Sequence, residues 1–193
     1  MKIIVLSSGH MAKPSVNGGL WDKGATNTIV HEGLEVPRFT EALSLWLLEH
    51  GYRVMRVADN ITLRETLKVV KGFPHDLAIE VHMNASDNPN ASGVEVFYNS
   101  KDSCGQMLKD IASKFCSRFS KTIGYPNRGA KDSKGSLAWN RVIDKSILVE
   151  LGFINGSKVD QEMLLDARAP LVFAETMGQV ILEVMAYAGH MKT

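Results

Sequence analysis

Within LAIEVHMN, residues 77–84, Leu77 to Met83 reads as a β-strand that closes on polar side chains. Successive side chains of an extended chain alternate between faces, so Glu80 and His82 project to one side and Val81 and Met83 to the other. A carboxylate and an imidazole on one face of an apolar strand are costly unless partnered. The segments on either side of this strand decide what it belongs to.

Upstream, Lys2 to Ser7 is a short apolar strand ending in a Ser-Gly-His turn, and Ser15 to Ala25, with Gly18, Gly19 and Gly24, is a loop. After Pro37, Phe39, Ala42, Leu43, Trp46 and Leu47 recur at helical spacing, Leu45 and Leu48 widen the apolar face, and Gly51 stops the helix. Arg53 to Ala58 is a second strand. A weaker helix follows Asp59 or Asn60, carries Leu63, Leu67 and Val70, and ends at Gly72 and Pro74.

Downstream, the turn-forming run Ser86-Asp87-Asn88-Pro89-Asn90 leads to a strand over Gly93 to Tyr98. Ser103 is placed to cap the next helix with Gln106 reciprocating, and Leu108, Ile111, Phe115 and Phe119 form its buried stripe. The polar, glycine-punctuated residues between Gly124 and Asn140 read as a substrate-side loop before Ser146 to Leu151 returns as a strand. Asp160 is expected to cap a short helix reaching Ala169, and Phe173, Met177, Val180, Ile181 and Val184 mark the last helix.

This alternation of strands and helices predicts an α/β fold: a single-domain, three-layer sandwich with a mixed or mostly parallel central sheet flanked by helices. The 193 residues suit one domain, and 45% hydrophobic with 22% charged residues suits an ordinary packed core. A formal charge of +1 provides no global field to collect nucleic acid or a membrane surface. The opening apolar run, Ile3 to Leu6, is too short for a signal peptide or a stable membrane insertion, so synthesis in a reducing cytoplasm is expected. Cys104 and Cys116 are too few for a disulfide framework or a thiolate metal site.

In a parallel sheet, ligands gather beyond the carboxyl ends of the strands, which draws attention to His10, His82, Asn84 and Glu150. Gly9, lacking a side chain, lets another element approach closely beside His10. Glu150, inside SILVELGF, is the sharpest anomaly, since a carboxylate in an apolar strand needs a partner such as Arg141 or a place at an active edge. Glu80 poses the same question and could orient a metal-bound histidine from behind. Two imidazoles and one carboxylate would make a catalytic zinc site, with Glu32, Glu35 and Glu41 all open as the third ligand. Lys131 and Arg141 could meet acidic groups of a peptide, and solvated surface charge is the preferred reading. No HExxH, HxxEH, Walker A or dinucleotide fingerprint is present, and neither cysteine sits in a nucleophile turn.

VLSSGH (5–10), IVHE (29–32), HGYRV (50–54), DLAIEVHMNAS (76–86), GVEVFY (93–98) and ILVELGFINGSKVD (147–160) together resemble the zinc-dependent N-acetylmuramoyl-L-alanine amidases, especially bacteriophage endolysin catalytic domains. The resemblance implies one amidase-like catalytic domain over residues 1–193, with no separate cell-wall-binding domain. It implies that His10, Glu32 and His82 hold one Zn²⁺, that Glu150 is the catalytic acid/base, and that Asn84 and Glu80 stand near substrate or behind the ligands. GHMAKPSVNGG departs from the family's Gly-His-Gly-Gly and Asp-Pro-Gly pattern. The substrate implied is peptidoglycan, reached from the host cytoplasm by release through a separate holin-type protein. A non-catalytic peptidoglycan-binding domain and a metal-dependent peptidase or deacetylase are the alternatives.

Overall fold

A computed structural model of the chain describes residues 1–15 and 20–190. Gly18 and Gly19 of the expected loop lie outside the described residues.

Six strands form one sheet: β1 (Ile3–Ser8), β2 (Arg53–Arg56), β3 (Leu77–Asn84), β4 (Val94–Tyr98), β5 (Asn127–Asp132) and β6 (Ser146–Phe153). Their order across the sheet is β2-β1-β3-β6-β4-β5. All pairs are parallel except β4 with β6, so β4 and β5 run against the other four strands. One rim therefore collects the carboxyl ends of β1, β3 and β6 together with the starts of β4 and β5. His10 follows β1 at this rim, and His82 and Glu150 stand toward the ends of β3 and β6 there.

One face of the sheet is covered by α1 (Glu32–Glu49), α3 (Gly105–Ile123) and α6 (Ala169–His190), with α5 (Lys158–Leu165) beside β6. Phe173 of α6 packs edge-on against Phe39 of α1 and against Phe115 and Phe119 of α3, forming the aromatic centre of the core. By length and composition α6 could cross a membrane, but Phe173, Met177, Val180 and Ile181 are spent on this core and are fully buried. Among the described residues the second face carries only α2 (Leu63–Lys71) and α4 (Ala138–Val142), around Val5, Val70, Leu148 and Trp139. This thinner cover leaves part of the sheet face accessible beside the rim.

Several boundaries differ from expectation for physical reasons. Helix α1 starts at Glu32 and contains Pro37. A proline past the first turn removes one hydrogen bond, and the anchoring of Glu32 described below holds the turn that precedes it. Helix α2 is capped by Thr62 with Glu65 in a reciprocal capping box, later than Asp59 or Asn60. The Ser103–Gln106 box does not form: Cys104 is the cap residue, its amide donates to Asp102 Oδ1, and Gln106 donates to Asp110. Ser157, not Asp160, caps α5. The expected loop at 124–140 contains strand β5 and the start of α4.

Candidate metal centre and catalytic carboxylate

Strand β1 delivers Gly9 and His10 to the rim, where the Gly9 amide donates to the Val81 carbonyl of β3 at 2.7 Å. A Cβ on Gly9 would stand 2.3 Å from the His82 ring, so only glycine lets the two histidine-bearing segments approach this closely. His10 itself adopts φ 64°, a left-handed backbone uncommon outside glycine. Its ring lies edge-on to that of His82, centroids 5.1 Å apart.

Glu32, the first residue of α1, lies between the two imidazoles and is buried. Its Oε1 accepts from the Met83 amide at 2.9 Å and from His82 Nδ1 at 2.9 Å. Its Oε2 accepts from the Ala25 amide at 2.8 Å and stands 3.4 Å from His10 Nε2. Two backbone donors thus fix this carboxylate in place at the start of α1. The three alternatives left open by the sequence separate here. Glu35 pairs with Arg38 at 2.8 Å and Glu41 is exposed, whereas Glu32 alone of the three faces both histidines.

Each histidine has a carboxylate behind it. His82 Nε2 lies 3.2 Å from Glu80 Oε2, and His10 Nδ1 lies 2.9 Å from Asp22 Oδ1. Both contacts are close without being aligned as full hydrogen bonds, and both nitrogens are buried. Burial works against the charged form of His82, but the carboxylates of Glu32, Glu80 and Glu150 outweigh it and hold its pKa well above the usual imidazole range. Against a burial penalty, the His10 contact and the Gly24 amide hold the Asp22 carboxyl below its usual value. The cluster is a negative cage that favours positive charge at its centre.

This donor set fits a tetrahedral divalent ion. His10, Glu32 and His82 offer ligand atoms that all lie within 4.8 Å of one another. Two imidazoles and a carboxylate at about 2.0–2.2 Å from zinc would stand roughly 3.3 Å apart, close to the separations just given. Glu80 and Asp22 occupy the positions from which carboxylates orient ligand histidines.

Glu150 is the ladder partner of His82 across β3 and β6, which puts both side chains on one face of adjacent strands. Its Oε2 is buried without a hydrogen-bond partner among the described residues. Burial pushes its carboxyl up to about 8; His82 pulls the other way, and the negative charges of Glu32, Glu95 and Glu80 add to the rise. Arg141 is not its partner: that side chain is exposed and reaches the Gly135 carbonyl. The cysteines offer no rival nucleophile at this rim, because burial pushes the Cys116 thiol up to about 12 and Cys104, at the start of α3, follows the carboxyl end of β4 at the opposite rim of the sheet.

The sequence model of the N-acetylmuramoyl-L-alanine amidase family matches residues 4–181, a span that contains every residue of this site. The chain belongs to that family. It is accordingly an enzyme that hydrolyses the amide between N-acetylmuramic acid and L-alanine in peptidoglycan. The family is typically metal-dependent, in keeping with the His10, Glu32 and His82 cluster. Among solved structures, an N-acetylmuramoyl-L-alanine amidase from Clostridium difficile 630 is 21% identical, covers 96% of this chain and 97% of its own, and superimposes with a TM-score of 0.76. The catalytic domain of the amidase CwlV from Bacillus (Paenibacillus) polymyxa var. colistinus is 20% identical over 96% of this chain and 99% of its own, with a TM-score of 0.79. The catalytic domain of an endolysin targeting Clostridia difficile is 22% identical over 95% and 98%, with a TM-score of 0.75. These likenesses establish the shared fold. No curated protein sequence matches the chain at a significant level.

Asn84 is at the end of β3, where its Nδ2 donates to Glu95 Oε1 at 2.9 Å and its Oδ1 accepts from the Ala85 amide. Sequence reasoning had no role for Asp22, Glu95 or Arg128. Glu95 carried the same signal as Glu150, a carboxylate inside a Val-rich strand. Asp22 lies in an aperiodic loop, and only its folded position reveals it.

Proposed function

We propose that the amidase works as a zinc enzyme, with His10, Glu32 and His82 holding one ion and Glu150 moving the proton. The observation that carries the reading is the buried, unpartnered Glu150 Oε2 one strand from the His82–Glu32–His10 cluster. When bound, the ion supplies Lewis acidity, lowering the pKa of a water molecule and polarising the scissile carbonyl.

The chain's own groups do the rest. Glu32, pinned by the Ala25 and Met83 amides, holds its ligand geometry without reorganising. Asp22 and Glu80 orient the two imidazoles from behind. Glu150 accepts the proton of the attacking water at Oε2 and returns it to the departing L-alanine amine, and its raised pKa suits both halves of that task. No covalent enzyme intermediate is required.

Digested peptidoglycan analysed by mass spectrometry tests the reading. Wild-type protein with zinc should release stem peptides bearing a free L-alanine amine, chelation should abolish the release, and zinc should restore it. Cleavage that persists in the thoroughly chelated protein would overturn the metal assignment, and cleavage inside the stem would favour the peptidase alternative.

The endolysin role, with host-cytoplasmic synthesis and holin-type release, belongs to the same proposal and is supported by the resemblance of the segments quoted above. Expressed in a susceptible host, the chain should lyse cells only when a membrane-permeabilising protein is co-expressed. Equal lysis without that protein would count against it.

A further inference from the structure

The rim continues past Glu150 to strands β4 and β5. Glu95 of β4 is the antiparallel ladder partner of Glu150, and β5 pairs with β4 on the outer side. Glu95 is buried, yet it gathers two cations from β5: its Oε2 lies 2.6 Å from Arg128 Nε and 2.6 Å from Lys131 Nζ. Asn84 donates to its other oxygen, tying the cluster to the end of β3 two residues beyond His82. Against a burial penalty, these two cations hold the Glu95 carboxyl below its usual range.

The charge balance is uneven. One carboxylate faces two cations, so the cluster retains a net positive charge at the edge of a catalytic rim otherwise lined by carboxylates. Both cationic side chains are more than a third exposed, while the Glu95 side chain is only 5% exposed. The Arg128 guanidinium lies 4.9 Å from the Phe153 ring centroid, which holds its plane in place. Only its Nε meets Glu95, and among the described residues its two terminal NH₂ groups have no hydrogen-bond partner. A flat guanidinium with free terminal donors is the group best shaped for a carboxylate.

Reach agrees with this. Neighbouring strands are about 4.8 Å apart, so the cations meeting at Glu95 stand about one strand spacing from Glu150. An extended peptide advances roughly 3.3–3.6 Å per residue, which places the second stem residue within side-chain reach of the cluster when the first is at the reacting centre. In peptidoglycan that second residue is a D-glutamyl unit whose α-carboxyl is free in some walls and amidated in others.

We propose that Arg128 and Lys131, braced on Glu95, form an anion subsite that recognises a free carboxylate on the peptide side of the scissile amide. The proposal rests on the amidase reading and fixes the direction of the substrate: the stem peptide lies over β4 and β5. The muramoyl side is left to the cavity of about 270 Å³ between His82, Ile61, Thr62 and Trp139.

The test uses two muropeptides that differ only in carrying a carboxylate or a carboxamide at that position. With zinc-loaded wild-type protein the KM for the carboxylate should be about tenfold lower, the size of one charge-assisted contact. Arg128→Gln and Lys131→Gln should each collapse the KM ratio toward one, and Arg128→Lys should restore part of it. Each single substitution leaves Glu95 one cation, so its buried charge is not orphaned. Equal KM values in the wild type, or substitutions that weaken both substrates alike, would overturn the subsite. Calorimetry of the same pair on zinc-loaded Glu150→Gln protein gives the ratio of Kd values even if the lactyl amide is not cut. Loss of cleavage then speaks against the amidase mechanism, and loss of the ratio against the subsite.

Discussion

Replacing Glu150 with Gln is expected to lower turnover by about 10²–10⁴-fold while leaving zinc content unchanged, because general acid–base residues typically contribute that much. Gln fills the same volume on β6 beside His82 but neither accepts nor returns the water's proton. Fold integrity is a sharp control, because the substitution should not destabilise the metal-free protein at alkaline pH. Burial raises the Glu150 carboxyl from 4.5 to about 8, so its folded form binds a proton more tightly than the unfolded chain does. The favourable contribution is complete below about pH 4.5 and is lost as the pH rises through about 8. The metal-free Glu150→Gln protein should therefore match or exceed the wild-type Tm above pH 8, by thermal denaturation. A folded, zinc-loaded Glu150→Gln enzyme with normal turnover would remove Glu150 from the mechanism.

Asp160→Ala is expected to give the largest loss of stability, about 3–5 kcal/mol, from the loss of a fully buried carboxylate that accepts from two backbone amides and two serine hydroxyls. Asp160 Oδ2 accepts from the Gly93 amide at 3.0 Å and the Phe153 amide at 2.9 Å. Its Oδ1 accepts from the hydroxyls of Ser92 and Ser157. One side chain thus joins the entry of β4, the end of β6 and the first turn of α5. Truncation strands two buried amides, each worth about 1–3 kcal/mol. At roughly 2–4 °C per kcal/mol for a chain of this size, Tm should fall by about 6–20 °C. Asp160→Asn should be milder, since the amide oxygen can serve both backbone donors while its NH₂ turns to the rotatable serine hydroxyls. Equal losses for the two substitutions would refute this division of labour.

The apolar strands and amphipathic helices were legible because burial on a sheet or helix face writes a period into the chain. Strand β5 was not. NRGAKD is an edge strand whose ladder bonds come from β4 alone, and its polar side chains carry no apolar alternation. Pro37 hid the start of α1 because a sequence pattern cannot weigh one lost hydrogen bond against the carboxylate anchoring of the preceding turn. At the site, the positions of His82 and Glu150 followed from strand register, since both stand on one face at one rim. Glu32 could not be chosen over Glu35 and Glu41 by residue chemistry alone. Its role depends on the Ala25 and Met83 amides, which come from segments 7 and 51 residues away in the chain. Lys131, read as a solvated charge, proves to share a buried carboxylate with Arg128, a pairing that only the β4–β5 contact creates.

The most direct measurement is a zinc titration of metal-free protein in which bound metal and muramoyl-L-alanine cleavage are followed on the same samples. Both should rise together and saturate at one zinc per chain, and His82→Ala and Glu32→Gln should lose the tight zinc and the activity together. Full cleavage before zinc is added, or undiminished zinc binding and cleavage in His82→Ala, would contradict the metal assignment.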